Sequence, residues 1–301
     1  MTDKNIAFIG LGIMGAPMAA HLVRAGYVVT GHDHKDAAMA ALAHAGGASA
    51  ATIADTVADA DVVITMLPDS GDVESAALGQ DGIFRNARPG ALHIDCSTIR
   101  PDVAAVLARQ AAAHRIAALD APVSGGQSGA HEAALSIMVG GTPDEFYRAR
   151  PILGALGSTV AHVGGHGAGQ TVKAANQLIV AGHIELLAEA LTFLRAHGVD
   201  IDAALQVLAD GLAGSTVLNQ KAPGMLARDF TPGFRIDLHH KDMGIVTTAA
   251  RQAGVIVPLG AHVAQLVASV RAQGDGDLDH SALLLGVERL SGLKTQPGGR
   301  P

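Results

Sequence analysis

Tryptophan is absent from this chain, which carries only six phenylalanines and two tyrosines among 301 residues. Its cores must be built mainly from aliphatic side chains. Positive charge is short as well: 21 Lys and Arg stand against 28 Asp and Glu, a formal charge of −7. With no basic run and no aromatic interleaving, the composition argues against a nucleic-acid partner. Cysteine is nearly missing. The single Cys96 cannot close an intrachain disulfide, which fits a reducing compartment and makes the cytoplasm the expected location. The fifteen histidines are scattered, and the pairs His32/His34 and His239/His240 lack the spacing of a metal site, so no metal is expected. No uninterrupted apolar run reaches membrane-spanning length, so no membrane partner is expected. Gly10, Gly12, Gly15 and Pro17 break the apolar opening, which argues against a secretory signal.

What is present is 49% hydrophobic, enough for two cores and hence two domains. Short apolar strands at 4–9, 27–32, 62–66, 91–95, 116–120, 135–139 and 159–163 alternate with Ala-rich helical segments. That alternation predicts an α/β doubly wound sheet. After Gly169 the strand signal stops, and helices are predicted over 170–197, 201–212, 216–227, 238–253, 258–273 and 281–290. The expected organisation is a dinucleotide-binding Rossmann domain over 1–164 and an all-helical domain over 165–292. A disordered polar tail over 293–301 follows. The first long helix joins the domains; it is apolar on nearly every face and is expected to be buried.

The first strand runs into Gly10-Leu11-Gly12-Ile13-Met14-Gly15 and then a helix. Strand before and helix after give this G-x-G-x-x-G its meaning. Gly10 permits a tight turn, Gly12 lets a pyrophosphate approach the backbone, and Gly15 lets helix and strand pack closely. Ile13 and Met14 complete the loop, whose helix N-terminus favours anions. Asp33 ends the second strand, where an acid would take the ribose hydroxyls. Its charge would repel a 2′-phosphate, so NAD is the expected cofactor; His34 and Lys35 soften the repulsion and leave NADP possible. Strand ends collect ligands in such sheets. Met66-Leu67-Pro68 and Ser97-Thr98 are therefore cofactor-binding candidates, although either hydroxyl could equally cap the helix after Pro101.

Two further stretches carry chemistry. In the run from Gly164 to Gln177, a glycine-rich segment opens a helix on which Lys173, Asn176 and Gln177 share one face at i, i+3 and i+4. That suits a proton donor with an orienting partner. In Asp120-Ala121-Pro122-Val123-Ser124-Gly125-Gly126, a strand end turns into a loop. There the Ser124 hydroxyl and the N–H groups of Gly125 and Gly126 could converge on a carboxylate. Taken alone, that loop reads better as a plain turn.

Four motifs in order, GLGIMG from Gly10, DAPVSGG from Asp120, GAGQTVKAANQ from Gly167 and the Lys241-Asp242 pair, make the chain resemble the β-hydroxyacid dehydrogenase family over nearly its whole length. The resemblance implies NAD(P)-dependent oxidation of a β-hydroxy acid, or the reverse reduction. It implies Lys173 as catalytic acid/base with Asn176 as its orienting partner, and Ser124, Gly125, Gly126 and Asn176 as binders of the substrate carboxylate. Lys241 would reach the cofactor. It also suggests a homodimer or homotetramer. Within the family, the stretches 211–218, 234–238 and 279–283 are similar to the members that reduce tartronate semialdehyde to D-glycerate. They look less like those acting on 3-hydroxyisobutyrate. Met243 and His34 depart from the family's usual Leu and Arg. The latter leaves cofactor choice open. An imine reductase would share the architecture, but Lys173 argues against it, as it does against a non-catalytic dinucleotide-binding module.

Overall fold

The computed structural model describes residues 4–293, and the tail 294–301 lies outside the described residues. The chain divides into two compact units, Met1–Lys173 and Ala174–Pro301. The first runs β1 (Asn5–Ile9), α1 (Gly15–Arg24), β2 (Val28–His32), α2 (Asp36–His44), β3 (Ala48–Ser49), α3 (Ile53–Val57), β4 (Val62–Thr65), α4 (Ser70–Leu78) and α5 (Ile83–Asn86). It continues with β5 (Leu92–Asp95), α6 (Pro101–Ala113), β6 (Ala117–Asp120), β7 (Val123–Ser124), α7 (Gly126–His131), β8 (Ser136–Gly140), α8 (Pro143–Leu153), β9 (Thr159–Gly164) and the start of α9 (Ala168–Ala196). Every strand expected from the sequence is there, and the two-residue strands β3 and β7 are additional.

The sheet is ordered β3-β2-β1-β4-β5-β6-β8-β7, with β9 paired to β8. The first six strands are parallel in the doubly wound order. At the far edge β8 reverses, antiparallel to both β6 and β7. Alternation along each strand fills both faces. Ile6, Phe8, Val62 and Ile64 enter one core, and Ala7, Ile9 and Val63 the other. Local signals start the helices: Thr142 and Glu145 form a capping box ahead of α8, with Pro143 in its first turn.

The second unit contains the rest of α9, then α10 (Ile201–Asp210), α11 (Thr216–Ala227), α12 (Ile236–Gln252), α13 (Pro258–Val270) and α14 (Leu283–Leu290). A π turn at Arg271–Asp275 ends the segment that the sequence reads as continuous helix to 273. The core here includes Ala181, Ile184, Leu187, Ala188 and Leu191 of α9, one face at helical spacing.

By length and composition alone α9 is long and apolar enough to cross a bilayer, and one of its faces packs into this core. One expectation about it is corrected: it is not buried all round. Ile179, Leu186 and Phe193 are 56%, 62% and 63% exposed, because a seven-residue spacing lines them up opposite the core-facing side chains.

Candidate active site

The glycine loop follows β1 where the strand order reverses, between β1 and β4. Gly10 has φ of +95°, and a Cβ there would lie 2.4 Å from the carbonyl oxygen of Met66. At Gly15 it would lie 1.9 Å from the carbonyl oxygen of Gly10. Both positions exclude any side chain. Gly12 is the opposite case: nothing stands within 4 Å of where its Cβ would be. Ile13 is exposed at 54%, and Met14, the N-cap residue of α1, supplies no side-chain cap. A crowded rear, an open front and an uncapped helix start fit a pyrophosphate against the loop. Asp33, 8% exposed, accepts the N–H of Leu11 through Oδ2 at 2.8 Å and that of Lys35 through Oδ1 at 2.9 Å. The His34 ring stands 3.3 Å from the same Oδ1, almost wholly in solvent.

Beside this loop, Met66 and Leu67 are half-buried and Pro68 is exposed after β4. Ser97, after β5, is fully buried: its Oγ accepts the N–H of Leu67 at 2.8 Å. Thr98 is half-buried and is the hydroxyl with surface to offer. Neither caps α6, whose N-cap residue is Arg100. Beneath them, Asp95 Oδ1 accepts the Thr65 hydroxyl at 2.8 Å and the Ser97 N–H at 3.1 Å. Since Thr65 donates to Asp95, its oxygen is left to accept from His93 Nε2, 3.0 Å away. Burial pushes the Asp95 carboxyl up to about 6 and the His93 imidazole down to about 4.

Asp120 ends β6 and starts the loop to Ser124. Ser124 is half-buried in β7, and Gly125 and Gly126 are exposed, with φ of +136° and +62°. The Asp120 carboxylate is buried and turned toward α9: Oδ1 accepts the N–H of Gly167 at 2.7 Å and Oδ2 that of Gln170 at 2.9 Å. Burial raises its carboxyl, and these two bonds oppose the rise. These bonds join the strand end to the start of the helix. Lys173 follows three residues after Gln170 and is 7% exposed.

In the helical unit, Asn176 donates through Nδ2 to Gln177 Oε1 at 2.8 Å, and Gln177 donates through Nε2 to Asp242 Oδ2 at 2.6 Å. Lys241 Nζ lies 3.0 Å from Asp242 Oδ1. Asn176, Gln177, Asp242 and Lys241 thus form one polar chain. Sequence reasoning gave roles to Asn176 and Lys241; it placed Gln177 on the face of Lys173 and Asp242 beside Lys241 but assigned neither of these linking residues a role. It also passed over Gln170, 1% exposed. Polar residues at 170, 173 and 177 on one face of an otherwise apolar helix were the available signal.

The profile described as the NAD binding domain of 6-phosphogluconate dehydrogenase matches residues 5–164. That described as NAD-binding of NADP-dependent 3-hydroxyisobutyrate dehydrogenase matches residues 167–286. The 2-hydroxy-3-oxopropionate reductase of Escherichia coli (strain K12) is 39% identical over 293 residues, covering 96% of this chain and 99% of that protein. The 3-hydroxyisobutyrate dehydrogenase of Pseudomonas aeruginosa is also 39% identical, covering 94% of this chain and 97% of its own. The solved structure of 3-hydroxyisobutyrate dehydrogenase from Mycobacterium tuberculosis, with L-serine, superposes with a TM-score of 0.86 at 37% identity. It covers 94% of this chain and 99% of that one.

Proposed function

The chain belongs to the β-hydroxyacid dehydrogenase family of NAD(P)-dependent oxidoreductases, and from that membership we propose that it reduces tartronate semialdehyde to D-glycerate, reversibly, with Lys173 as the general acid. The observation that carries this reading is Lys173 itself, a lysine 7% exposed on a helix whose first turn is bonded to the end of β6 and to the segment after β5.

Gly10 to Gly15 and Asp33 would hold the dinucleotide, whose chemistry when bound would be to supply a hydride for the aldehyde carbon. Negative charge then grows on the carbonyl oxygen. The Lys173 ammonium stabilises that charge and transfers one proton to it, so the aldehyde becomes a primary alcohol and the lysine a neutral amine. In the reverse direction the amine takes the proton back. The Ser124 hydroxyl and the Gly125 and Gly126 amides hold the substrate carboxylate. Asn176, one turn along the same helix, orients the reacting group. Lys241 is assigned to the cofactor on its motif alone, as are Met66, Leu67, Pro68 and Thr98 on their strand-end positions. NADH is the preferred dinucleotide, with some use of NADPH. The cytoplasm is its compartment and a homodimer or homotetramer its assembly.

Support for the substrate comes from the 39% identity with the Escherichia coli reductase and from the stretches 211–218, 234–238 and 279–283. The equal identity with a 3-hydroxyisobutyrate dehydrogenase keeps that substrate as the second reading. NADH-linked assays over tartronate semialdehyde, 3-hydroxyisobutyrate, L-serine and succinic semialdehyde decide between them. The highest kcat/KM belongs to tartronate semialdehyde if the proposal holds. Lys173→Ala abolishes turnover on every substrate while NADH still binds; near-normal kcat in that variant would remove the acid assignment.

A further inference from the structure

Helix α9 starts without a cap of its own. Its first intrahelical bond, from Thr171 N–H to Gly167 C=O, makes Gly167 the N-cap residue, and glycine has no side chain to accept the free amides. A capping box uses two side chains to satisfy the N–H groups of the N-cap and third helical residues. Here one carboxylate from another element takes both, since Asp120 accepts from Gly167 at 2.7 Å and from Gln170 at 2.9 Å. Two glycines make room for it. A Cβ on Gly140 would lie 2.5 Å from Asp120 Oδ1, and one on Gly169 would lie 2.8 Å from Oδ2 and 2.4 Å from the Met138 carbonyl oxygen.

A second tether lies on the same turn. Gln170 accepts the Ile99 N–H through Oε1 at 3.1 Å and donates through Nε2 to the Ser97 carbonyl at 2.8 Å. Held by β6 through the carboxylate and by the segment after β5 through the amide, this turn can neither rotate nor slide without breaking charge-assisted or buried bonds. Lys173 is the next residue along on the Gln170 face. Asp120 also begins the loop that reaches Ser124 four residues later.

We propose that Asp120, seconded by Gln170, is the positioning residue for Lys173: it fixes the depth and rotation of the first turn of α9, and with them the place of the ammonium relative to the Ser124 to Gly126 loop. The inference rests on Lys173 being the proton donor. Asp120 touches no reacting atom and acts only through the helix.

In Asp120→Asn, one oxygen can still accept, but the amide nitrogen is turned on a backbone N–H that needs an acceptor. We expect kcat per folded active site to fall roughly 10- to 100-fold, as a displacement of about 1 Å in a reacting group can produce. NADH affinity stays unchanged. The deuterium isotope effect on kcat with 4-deuterated NADH rises, because the chemical step becomes limiting. Amide hydrogen exchange over 167–171 accelerates, with or without dinucleotide. A merely structural loss would lower the folded fraction and leave kcat and isotope effect per folded site where they were. Gln170→Met moves the same readouts in the same direction and decides the matter if Asp120→Asn does not fold. Parental kcat and isotope effect in either folded variant overturn the proposal. Lys173→Ala run alongside separates the two readings. If it still turns over, the acid assignment fails and the positioning role with it; if it is dead while Asp120→Asn is unimpaired, only the positioning role fails.

Discussion

Asp33 Oδ2 accepts the backbone N–H of Leu11 at 2.8 Å, so the acid at the end of β2 and the middle of the glycine loop form one hydrogen-bonded unit. A carboxylate proposed to read the ribose therefore also holds the loop that takes the pyrophosphate. Removing its charge and removing its acceptor are separable. Asp33→Asn can keep the bond to Leu11 but loses the acceptor for the Lys35 N–H, the negative charge toward the ribose hydroxyls and the repulsion of a 2′-phosphate, so kcat/KM with NADH falls while that with NADPH holds or rises. Asp33→Ala leaves a buried N–H without an acceptor, which costs about 1–3 kcal/mol. Efficiency with both dinucleotides should then drop, roughly 10-fold or more. Steady-state kinetics with each cofactor check this. An Asp33→Ala variant that simply switches to efficient NADPH use would mean that the loop does not depend on the acid.

The three glycines of the loop make different demands. Gly15→Ala drives a methyl to within 1.9 Å of the Gly10 carbonyl oxygen, backbone against backbone, and neither partner can yield cheaply. Overpacking of this kind costs about 1–3 kcal/mol, so Tm falls along with NADH affinity. Gly12→Ala adds its methyl in open space, and Tm stays at the parental value. The methyl nevertheless stands where the pyrophosphate is expected, so NADH affinity drops. Thermal melts and NADH titrations of the two variants check the contrast. A Gly12→Ala protein with parental NADH affinity would place the dinucleotide elsewhere.

How much of this was legible in the sequence follows from the range of the forces involved. The strand, glycine loop and helix at 5–24 depend on neighbours in the chain, and the sequence predicts them with their acid at 33. The helices of the second unit are legible from periodicity, except that the π turn interrupts α13 near 271, where Gly274 takes φ of +94°. Asp120 was not legible. Its two partners lie 47 and 50 residues away, and no local pattern distinguishes a carboxylate that ends a strand from one that caps a distant helix. Gln177 is similar: its acceptor, Asp242, is 65 residues away. The exposed face of α9 was visible only in part. Composition made the helix look apolar all round, while the regular seven-residue spacing of Ile179, Leu186 and Phe193 separates that face from the core.

Asp95 gives the protein a predictable response to pH. Its carboxyl is raised from the usual 3.8 to about 6, chiefly by burial, and Oδ2 is buried without a hydrogen-bond partner. Between pH 4 and 6 the folded state holds a proton that the unfolded chain has released, so this group's contribution to stability declines as pH rises through that window. Above about 6 the full penalty applies, on the order of 3 kcal/mol. Asp95→Asn keeps an oxygen for Thr65 and Ser97 and cannot ionise. Its Tm should exceed that of the parent at pH 8, and the advantage should shrink to nothing by pH 4. Melts across that range check the prediction. A difference independent of pH would show that burial does not raise this carboxyl above its value in the unfolded chain.

The outward stripe on α9 bears on assembly. Single exposed apolar residues are ordinary, but aligned ones on a helix mark a surface that meets something. Ile179, Leu186 and Phe193 repeat every seven residues, all more than half exposed, the spacing at which helices pack along a seam. Helix α10 adds to this, since none of its residues is buried and Val207 is 73% exposed. A second copy of the chain is the partner that the proposed homodimer or homotetramer would set against this stripe. Leu186→Glu with Phe193→Glu should therefore yield a folded monomer by light scattering at concentrations where the parent is a dimer or tetramer. At least a hundredfold weaker association corresponds to roughly 3 kcal/mol, about what two buried large apolar side chains supply. Because neither side chain enters the core of its own chain, circular dichroism should remain parental. If the parent itself scatters as a monomer, or the double variant keeps the parental mass, these helices do not form the interface.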